Sequence, residues 1–125
     1  MTVPLGVLLV SGGHERAHYA FVLAAAAAAL GRSVVLFATN EGTRALCADV
    51  AGLDDAGREA RVRAAGVAGL AELRGATMEM GARLIACEAG LLMAGVQATE
   101  LLPGVEVAGV ATFLSAMSGG QVITL

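Results

Sequence analysis

The residue best suited to chemistry in this 125-residue chain is Cys87, one of two cysteines. It follows the short apolar run Arg83–Ala86, which predicts a buried strand, and it precedes Glu88–Ala94, which predicts a short helix. A thiol at the start of a helix faces unpaired backbone N–H groups and the positive end of the helix dipole, which stabilise a thiolate. The carboxylate of Glu88 opposes that effect. The position favours a nucleophile, with a packed, unreactive thiol as the alternative.

The other cysteine, Cys47, lies at the end of a short predicted helix, where the helix dipole disfavours an anion. We therefore interpret Cys47 as a small buried core residue. A role in resolving an oxidised Cys87 would need the two Cα atoms within about 7 Å, which the sequence does not indicate. Two cysteines so far apart form neither a disulfide framework nor a CxxC site, and this favours free thiols in a reducing cytoplasm.

Two histidines, His14 and His18, lie four residues apart and therefore on one face at the start of a predicted helix. They are candidates for orienting a ligand or donating a proton to a leaving sulfur if the first and third strands are neighbours. Their loop would then open on the same crevice as Cys87. A solvated helix start is the alternative. No metal is expected, because the pair has neither an HExxH pattern nor an obvious third ligand.

The loop before these histidines contains Gly12 and Gly13, and its position between a strand and a helix invites comparison with phosphate-binding loops. Both glycines are candidate binding residues, together with Glu88 beside the cysteine. However, the GxGxxG pattern is absent and the chain has no lysine. A tight turn between strand and helix is therefore the favoured interpretation, and no cofactor is expected.

Apolar runs alternate with helical patterns along the chain. The runs predict five strands: Pro4–Val10, Ser33–Ala38, Arg83–Ala86, Val105–Val110 and Val122–Leu125. Helical patterns cover Glu15–Leu30, Glu41–Ala48, Val67–Met80, Glu88–Ala94, Ala98–Leu102 and Ala111–Met117. The polar stretch Asp49–Arg63 predicts a surface loop or irregular helix with little to bury.

This alternation predicts an α/β fold, a three-layer α/β/α sandwich of the flavodoxin-like kind around a five-stranded parallel sheet. The first strand is expected at the centre of the sheet. Residues 1–125 are expected to form a single domain, because the length suits one hydrophobic core.

Composition narrows the classes of partner. Apolar residues make up 57% and charged residues 15% of the chain, and the mean hydropathy is +0.74, so we expect a homo-oligomer that covers part of the surface. A net charge of −3 and eight arginines without a cluster argue against nucleic acid as a partner. The most apolar windows, Val3–Val10 and Ala20–Leu30, are too short to cross a membrane, and no basic segment precedes the first. A soluble cytoplasmic protein without a signal peptide is expected.

A longer pattern carries a family resemblance. The segment Arg83–Leu114, RLIACEAGLLMAGVQATELLPGVEVAGVATFL, resembles the carboxyl half of DsrE/DsrF-like proteins of the sulfur-relay family. The first forty residues also fit, with an initial strand, a loop containing glycine, an Ala-rich helix ending at Gly31, and the strand SVVLFAT. Only Asp49–Gly66 has no distinctive match.

The resemblance implies a DsrE-like fold and a sulfur carrier or sulfurtransferase. Such a protein would accept sulfane sulfur as a persulfide on Cys87 and pass it to a partner thiol. It implies no cofactor, sulfur donors and acceptors that are proteins or small thiols, and assembly into trimers or hexamers.

Two other functions remain open on the residues alone. One is a non-catalytic oligomeric module that holds a small anionic ligand in the same crevice, with Cys87 packed and unreactive. The other is a thiol peroxidase, which the absence of an obvious resolving cysteine argues against.

Overall fold

The computed structural model describes residues 2–125 as one open sheet with helices on both faces. The strands are β1 (Leu5–Leu9), β2 (Val34–Ala38), β3 (Arg83–Cys87), β4 (Glu106–Ala108) and β5 (Gln121–Thr124). All pairings are parallel, in the order β4-β3-β2-β1-β5. The predicted α/β architecture with a five-stranded parallel sheet is confirmed.

Five α-helices connect and cover the strands. They are α1 (His14–Ala29), α2 (Arg58–Ala64), α3 (Leu70–Glu79), α4 (Glu88–Ala94) and α5 (Val110–Ala116). A 3₁₀ segment (Asn40–Leu46) follows β2, where an ordinary short helix was predicted, and a 3₁₀ turn (Ala98–Glu100) precedes β4. The polar stretch predicted to be a loop or irregular helix contains the regular helix α2.

The two faces of the sheet are covered unequally. A large core cluster joins one face to α1, α3, α4 and the 3₁₀ segment, and four alanines on α1 let that helix approach the strands closely. The buried alanines are Ala17, Ala20, Ala24 and Ala27. The opposite face has a small cluster that includes Phe113 of α5 and Met117, the residue directly after that helix. The second face therefore depends mainly on one short helix.

The order of the strands corrects one expectation. β2, and not β1, is the central strand, and all five of its residues are buried, as a strand covered on both faces requires. β1 pairs with β2 and β5. The condition under which the histidine loop would share a crevice with Cys87, that the first and third strands are neighbours, is therefore not met.

Among residues 2–125, no helix combines the length and apolar character needed to cross a membrane.

Candidate functional site

Cys87 lies where two chain connections leave the sheet in opposite directions. It ends β3 and is paired in register with Ala108, the last residue of β4. The helix after β3, α4, packs with the large core cluster, whereas the helix after β4, α5, packs with the small cluster on the other face. In open α/β sheets, ligands bind outside the carboxyl ends of strands at such a point of divergence. The geometry makes the end of β3 the candidate site.

The sulfur of Cys87 accepts a hydrogen bond from the backbone of its own helix. Cys87 is the N-cap of α4 with extended backbone angles, and Gly90 donates its N–H to Sγ at 3.4 Å. The side chain packs in the small cluster with Phe113 and is only 7% exposed. Cys87 is therefore held at the crevice but is largely covered within the single chain.

Close backbone packing fixes the first turn of α4. A Cβ placed on Gly90 would lie 2.5 Å from Thr39 Oγ1 and 2.8 Å from Thr39 Cα, and it would also meet the backbone nitrogen of Asn40. Atoms cannot approach that closely without a shift of the backbone. Because residue 90 is a glycine, Thr39 and Asn40, which follow β2, can contact the helix turn whose N–H bonds the sulfur.

Two arginines fix the 3₁₀ segment on either side. Arg44 donates from Nη2 to the carbonyl of Ala94 at the end of α4, at 2.9 Å. Arg74, on α3, donates from Nη1 to the carbonyls of Ala45 and Cys47 at 2.8 and 2.7 Å. Burial lowers the pKa of Arg74 below its ordinary value. These bonds join α3, the 3₁₀ segment and α4 into one support for the candidate site.

Cys47 is a buried thiol at the end of the 3₁₀ segment, as predicted for a core residue. Its Sγ donates to the carbonyl of Thr43 at 3.8 Å. Burial, followed by the negative charge of Glu100, raises the pKa of the Cys47 thiol. An uncharged thiol is a poor nucleophile, so this environment suits a structural residue.

The two histidines belong to a separate polar cluster, which we call the histidine cluster: His14, His18, Arg58 and Glu59. Nη1 of Arg58 approaches Nδ1 of His14 at 3.2 Å and Nδ1 of His18 at 3.4 Å. Because an arginine can only donate, both Nδ1 atoms accept, and the ring hydrogens are assigned to Nε2. The Nε2 atoms then donate to Glu59 Oε1 at 2.9 Å and to the carbonyl of Ala68 at 2.8 Å.

All four ring nitrogens of the histidine cluster are thus bonded within the protein. The rings stack with centroids 5.8 Å apart, which confirms that they share one face of α1. His14 is 1% and His18 5% exposed, so the alternative of a solvated helix start is wrong. The cluster ties α1 to α2 and to the loop before α3. A role of the histidines in ligand chemistry stays a prediction, and their hydrogen bonds do not involve Cys87.

Glu59 also caps α3. Its carboxylate accepts the N–H of Leu70 at 2.9 Å and that of Ala71 at 3.4 Å, in addition to the ring of His14. Burial on its own raises the pKa of Glu59, but these hydrogen bonds outweigh burial, and the pKa lies below its ordinary value. The carboxylate is therefore a structural anion in the neutral range.

The candidate loop residues have packing roles. A Cβ on Gly12 would lie 2.6 Å from the Cβ of Glu41, and the Gly12 carbonyl accepts the N–H of Asp54 at 2.8 Å. The N–H of Gly13 is bonded to Ser11 Oγ at 3.1 Å. Glu88 is exposed in the first turn of α4 beside Cys87. Of the predicted site residues, only Glu88 adjoins Cys87 in the same turn.

Sequence reasoning missed the residues that surround these side chains. Gly90, Thr39 and Asn40 contact the first turn of α4, while Arg58 and Glu59 bond the histidines. A glycine three residues after a helix-capping cysteine was a usable signal for close packing. Nothing in the sequence pairs Arg58 or Glu59 with histidines forty or more positions away. Among residues 2–125, no group of three or more His, Cys, Asp or Glu side chains could hold a metal ion.

The open parallel sheet with helices on both faces makes this chain an α/β protein of the flavodoxin-like kind, with a cysteine at the point where the connections diverge. Comparison with known proteins identifies its family. Residues 6–125 match the model of the DsrE/DsrF-like family, so the chain belongs to that family. No curated protein matches the chain.

Solved structures share the fold at low sequence identity. The ychN protein from E. coli is 15% identical with a TM-score of 0.73, and the match covers 99% of this chain and 100% of that one. The protein of unknown function MTH1491 from Methanobacterium thermoautotrophicum is 17% identical with a TM-score of 0.62 and the same coverage. These similarities support the DsrE-like fold.

Proposed function

We propose that this protein is a sulfur carrier or sulfurtransferase that accepts sulfane sulfur as a persulfide on Cys87 and passes it to a partner thiol. One observation carries the proposal: Cys87 ends β3 at the point where α4 and α5 diverge, with its sulfur bonded to the N–H of Gly90. Membership of the DsrE/DsrF-like family supports sulfur relay at the level of the family.

The chemistry needs only a reactive thiolate. The thiolate of Cys87 attacks a sulfane sulfur, and a second thiolate later takes the outer sulfur from the resulting persulfide. That outer sulfur lies about 2 Å beyond Sγ, the length of an S–S bond. In the structure the N–H of Gly90 donates to Cys87 Sγ, the atom that becomes the inner sulfur of the persulfide. The hydrogen bonds of the histidine cluster do not involve Cys87.

The burial of Cys87 suits a carrier that must protect its cargo. A persulfide is readily oxidised or reduced when solvent and small reagents reach it, as are other reactive sulfur species. The helices that cover Cys87, α4 and α5, are short, with seven residues each. Local opening of such elements costs much less than global unfolding. Transfer would therefore occur when the first turn of α4 or α5 moves aside.

The second candidate function is a non-catalytic module that holds a small ligand, with Cys87 as a packed thiol. The 7% exposure of Cys87 favours this candidate, because an inert cysteine has no need of access. The two functions differ in one respect: only the carrier forms a covalent bond to sulfur.

The partners are proposed to be sulfur donor and acceptor proteins or small thiols, with assembly into a homotrimer or homohexamer. Leu92 and Met93 of α4 are 80% and 78% exposed, and Val110 and Leu114 of α5 are also exposed. Such apolar side chains near the thinly covered face favour contact with other subunits. Light scattering would show a mass near three or six chains, and a monomer would contradict the proposal.

A reducing cytoplasm is the proposed compartment, because both cysteines are free thiols.

Cyanolysis tests the proposed function. Protein treated with polysulfide and freed of excess reagent is mixed with cyanide, which takes the outer sulfur of a persulfide as thiocyanate. About one equivalent per chain is expected from the native protein and from Cys47→Ser, and none from Cys87→Ser. Equal thiocyanate from all three, or none from the native protein, would leave the binding module as the better account.

A further inference from the structure

One short helix covers the thinly packed face of the sheet, and few of its side chains hold it there. Of the residues of α5, only Phe113 is buried, whereas Val110 and Leu114 are 52% and 62% exposed. Met117, one turn after Phe113, is also buried against this face. Phe113 stacks on Phe37 of β2, with ring centroids 5.1 Å apart and ring planes at 23°. The docking of α5 therefore depends on one aromatic pair and one methionine.

The helix has little stability of its own. α5 has seven residues, and its N-cap is Gly109, which makes no side-chain hydrogen bond. Helices this short are unstable in water unless they pack against other elements, and the lack of a side-chain cap weakens them further. A Cβ on Gly109 would meet no atom beyond its chain neighbours within 4 Å, and Gly119 after the helix has a φ of 77°. Since glycine adopts more backbone conformations than other residues, the chain can pivot at both ends of α5.

The side chain that holds α5 in place lies in the same small cluster as Cys87. On this face of the sheet, Phe37 is paired in register with Ile85. Cys87 is two residues further along β3, so its side chain lies on the same face as that of Ile85. When Phe113 leaves Phe37, this face loses its main cover and Cys87 becomes accessible.

We infer that α5 is a lid over Cys87, which pivots on the glycines at its two ends and is held closed by Phe113. In the closed state Cys87 is 7% exposed. Opening the lid uncovers two large side chains, whereas seven residues of α1 are buried in its packing, so the lid opens at a much smaller cost than global unfolding. As a control of sulfur transfer this inference rests on the proposed function, but the opening itself is measured without sulfur.

The Phe113→Leu variant tests the lid, because leucine fills part of the space but cannot stack on Phe37. A Cys47→Ser background leaves Cys87 as the one thiol, so the gain in intact mass with iodoacetamide measures access to Cys87. We expect alkylation to become about tenfold faster, because the closed state is weakened and local opening is more frequent. Light scattering checks that the variant keeps the assembly of the native protein. An unchanged rate of alkylation would mean that Cys87 is reached past α4, and it would overturn the inference.

Phe21→Leu is the matched control. Phe21 lies on α1 and is fully buried in the large cluster on the other face of the sheet. The same substitution should lower the melting temperature there but leave α5 docked, so alkylation of Cys87 should keep the native rate. Equal acceleration in the two variants would show that Cys87 is reached by global unfolding, which contradicts a lid.

A second variant acts on the lid from the strand side. A Cβ on Gly6 of β1 would lie 2.5 Å from Met117 Sδ and 2.9 Å from Phe113 Cζ. Gly6→Ala should therefore displace both side chains and also speed the alkylation of Cys87.

Amide hydrogen exchange tests the lid without any substitution. In the native protein, the amides of α5 should exchange at least about tenfold faster than the interior amides of α1, since they open locally. Protection of α5 equal to that of α1 would overturn the inference even if no variant folded.

Sulfur loading separates the lid from the proposed function. With glutathione persulfide as the donor, Phe113→Leu should load Cys87 faster, in proportion to its faster alkylation. If alkylation behaves as expected but native protein gains no sulfur, the proposed function fails and the lid is supported. If native protein gains sulfur but Phe113→Leu changes neither rate, the lid is overturned and the proposed function is supported.

Discussion

The two regions that the sequence marks for chemistry differ in how their polar atoms are used. In the histidine cluster, all four ring nitrogens are bonded within the protein, and the carboxylate of Glu59 also caps α3. At the end of β3, the Cys87 sulfur accepts one backbone N–H, while Asn40 and Glu88 remain exposed nearby. Polar groups already paired with one another stabilise a fold, whereas the Cys87 sulfur has one weak donor and can react once a covering helix moves aside. The difference supports the proposal that the first region stabilises the fold and that sulfur chemistry takes place at the second.

The largest effect is expected at Gly90. Gly90→Ala introduces a methyl group in contact with the backbone of Thr39 and Asn40, which cannot rotate away. We expect a loss of about 2–3 kcal/mol in the free energy of unfolding, typical of overpacking. Sulfur loading on Cys87 should also slow, because α4 must shift. Urea unfolding and intact-mass kinetics measure the two effects.

Gly75→Ala is the control for that substitution. Gly75 lies inside α3, and no atom outside the local helix backbone would lie within 4 Å of a Cβ there, so alanine should stabilise the helix by up to about 1 kcal/mol. If both variants behaved alike, the close packing at Gly90 would not hold α4 in place.

A smaller effect is expected at Glu59. Glu59→Gln removes the anion that accepts hydrogen bonds from Nε2 of His14 and from the backbone N–H groups of Leu70 and Ala71. We expect a loss of about 1–2 kcal/mol at pH 7, because one partly buried acceptor is weakened and a competing N–H₂ is introduced. The rate of sulfur loading on Cys87 should stay the same as in the native protein. Glu72→Gln, at an exposed position of α3, is the matched control. Loss of sulfur loading in Glu59→Gln would break the division between the two regions.

The pH dependence follows from the lowered pKa of Glu59. A carboxylate with a lower pKa in the folded than in the unfolded chain adds stability above the unfolded value of about 4.3. That stability is lost as the pH falls through the folded pKa. The difference in unfolding free energy between native protein and Glu59→Gln should therefore be constant near neutral pH and shrink below about pH 4. An unchanged difference in acid would contradict the structural role of the anion.

The smallest effect is expected at the surface pair of Arg83 and Glu106. Two hydrogen bonds of 2.9 Å join the side chains, and they lower the pKa of Glu106, but both residues are substantially exposed. Glu106→Gln should cost less than about 1 kcal/mol and even less in 1 M salt. An effect as large as that at Glu59 would contradict the distinction between the internally bonded histidine cluster and an exposed ion pair at the surface.

Much of the fold could be predicted because its signals are local. The apolar runs before Ser11 and Cys87, and the glycine at position 31 after the first helix, mark strands and a helix end within a few residues of where the structure has them. Strand order is not local, because it depends on how helices pack over the sheet, and the central position expected for β1 belongs to β2.

The candidate site was predictable in part for the same reason. The place of Cys87 between a strand and a helix follows from neighbouring residues. The side chains that bond His14 and His18 come from α2, forty or more residues further along, in a stretch whose charges predicted only a polar surface. Likewise, the contact between Gly90 and Thr39 joins segments that the sequence does not relate.

The central claim is that Cys87 carries sulfane sulfur. The most direct measurement is the intact mass of native protein, Cys87→Ser and Cys47→Ser after incubation with a sulfane-sulfur donor. The account predicts a gain of one sulfur atom in the native protein and in Cys47→Ser, reversed by a thiol reductant, and no gain in Cys87→Ser. No gain in the native protein, with Cys87 also unreactive to alkylation, would contradict it.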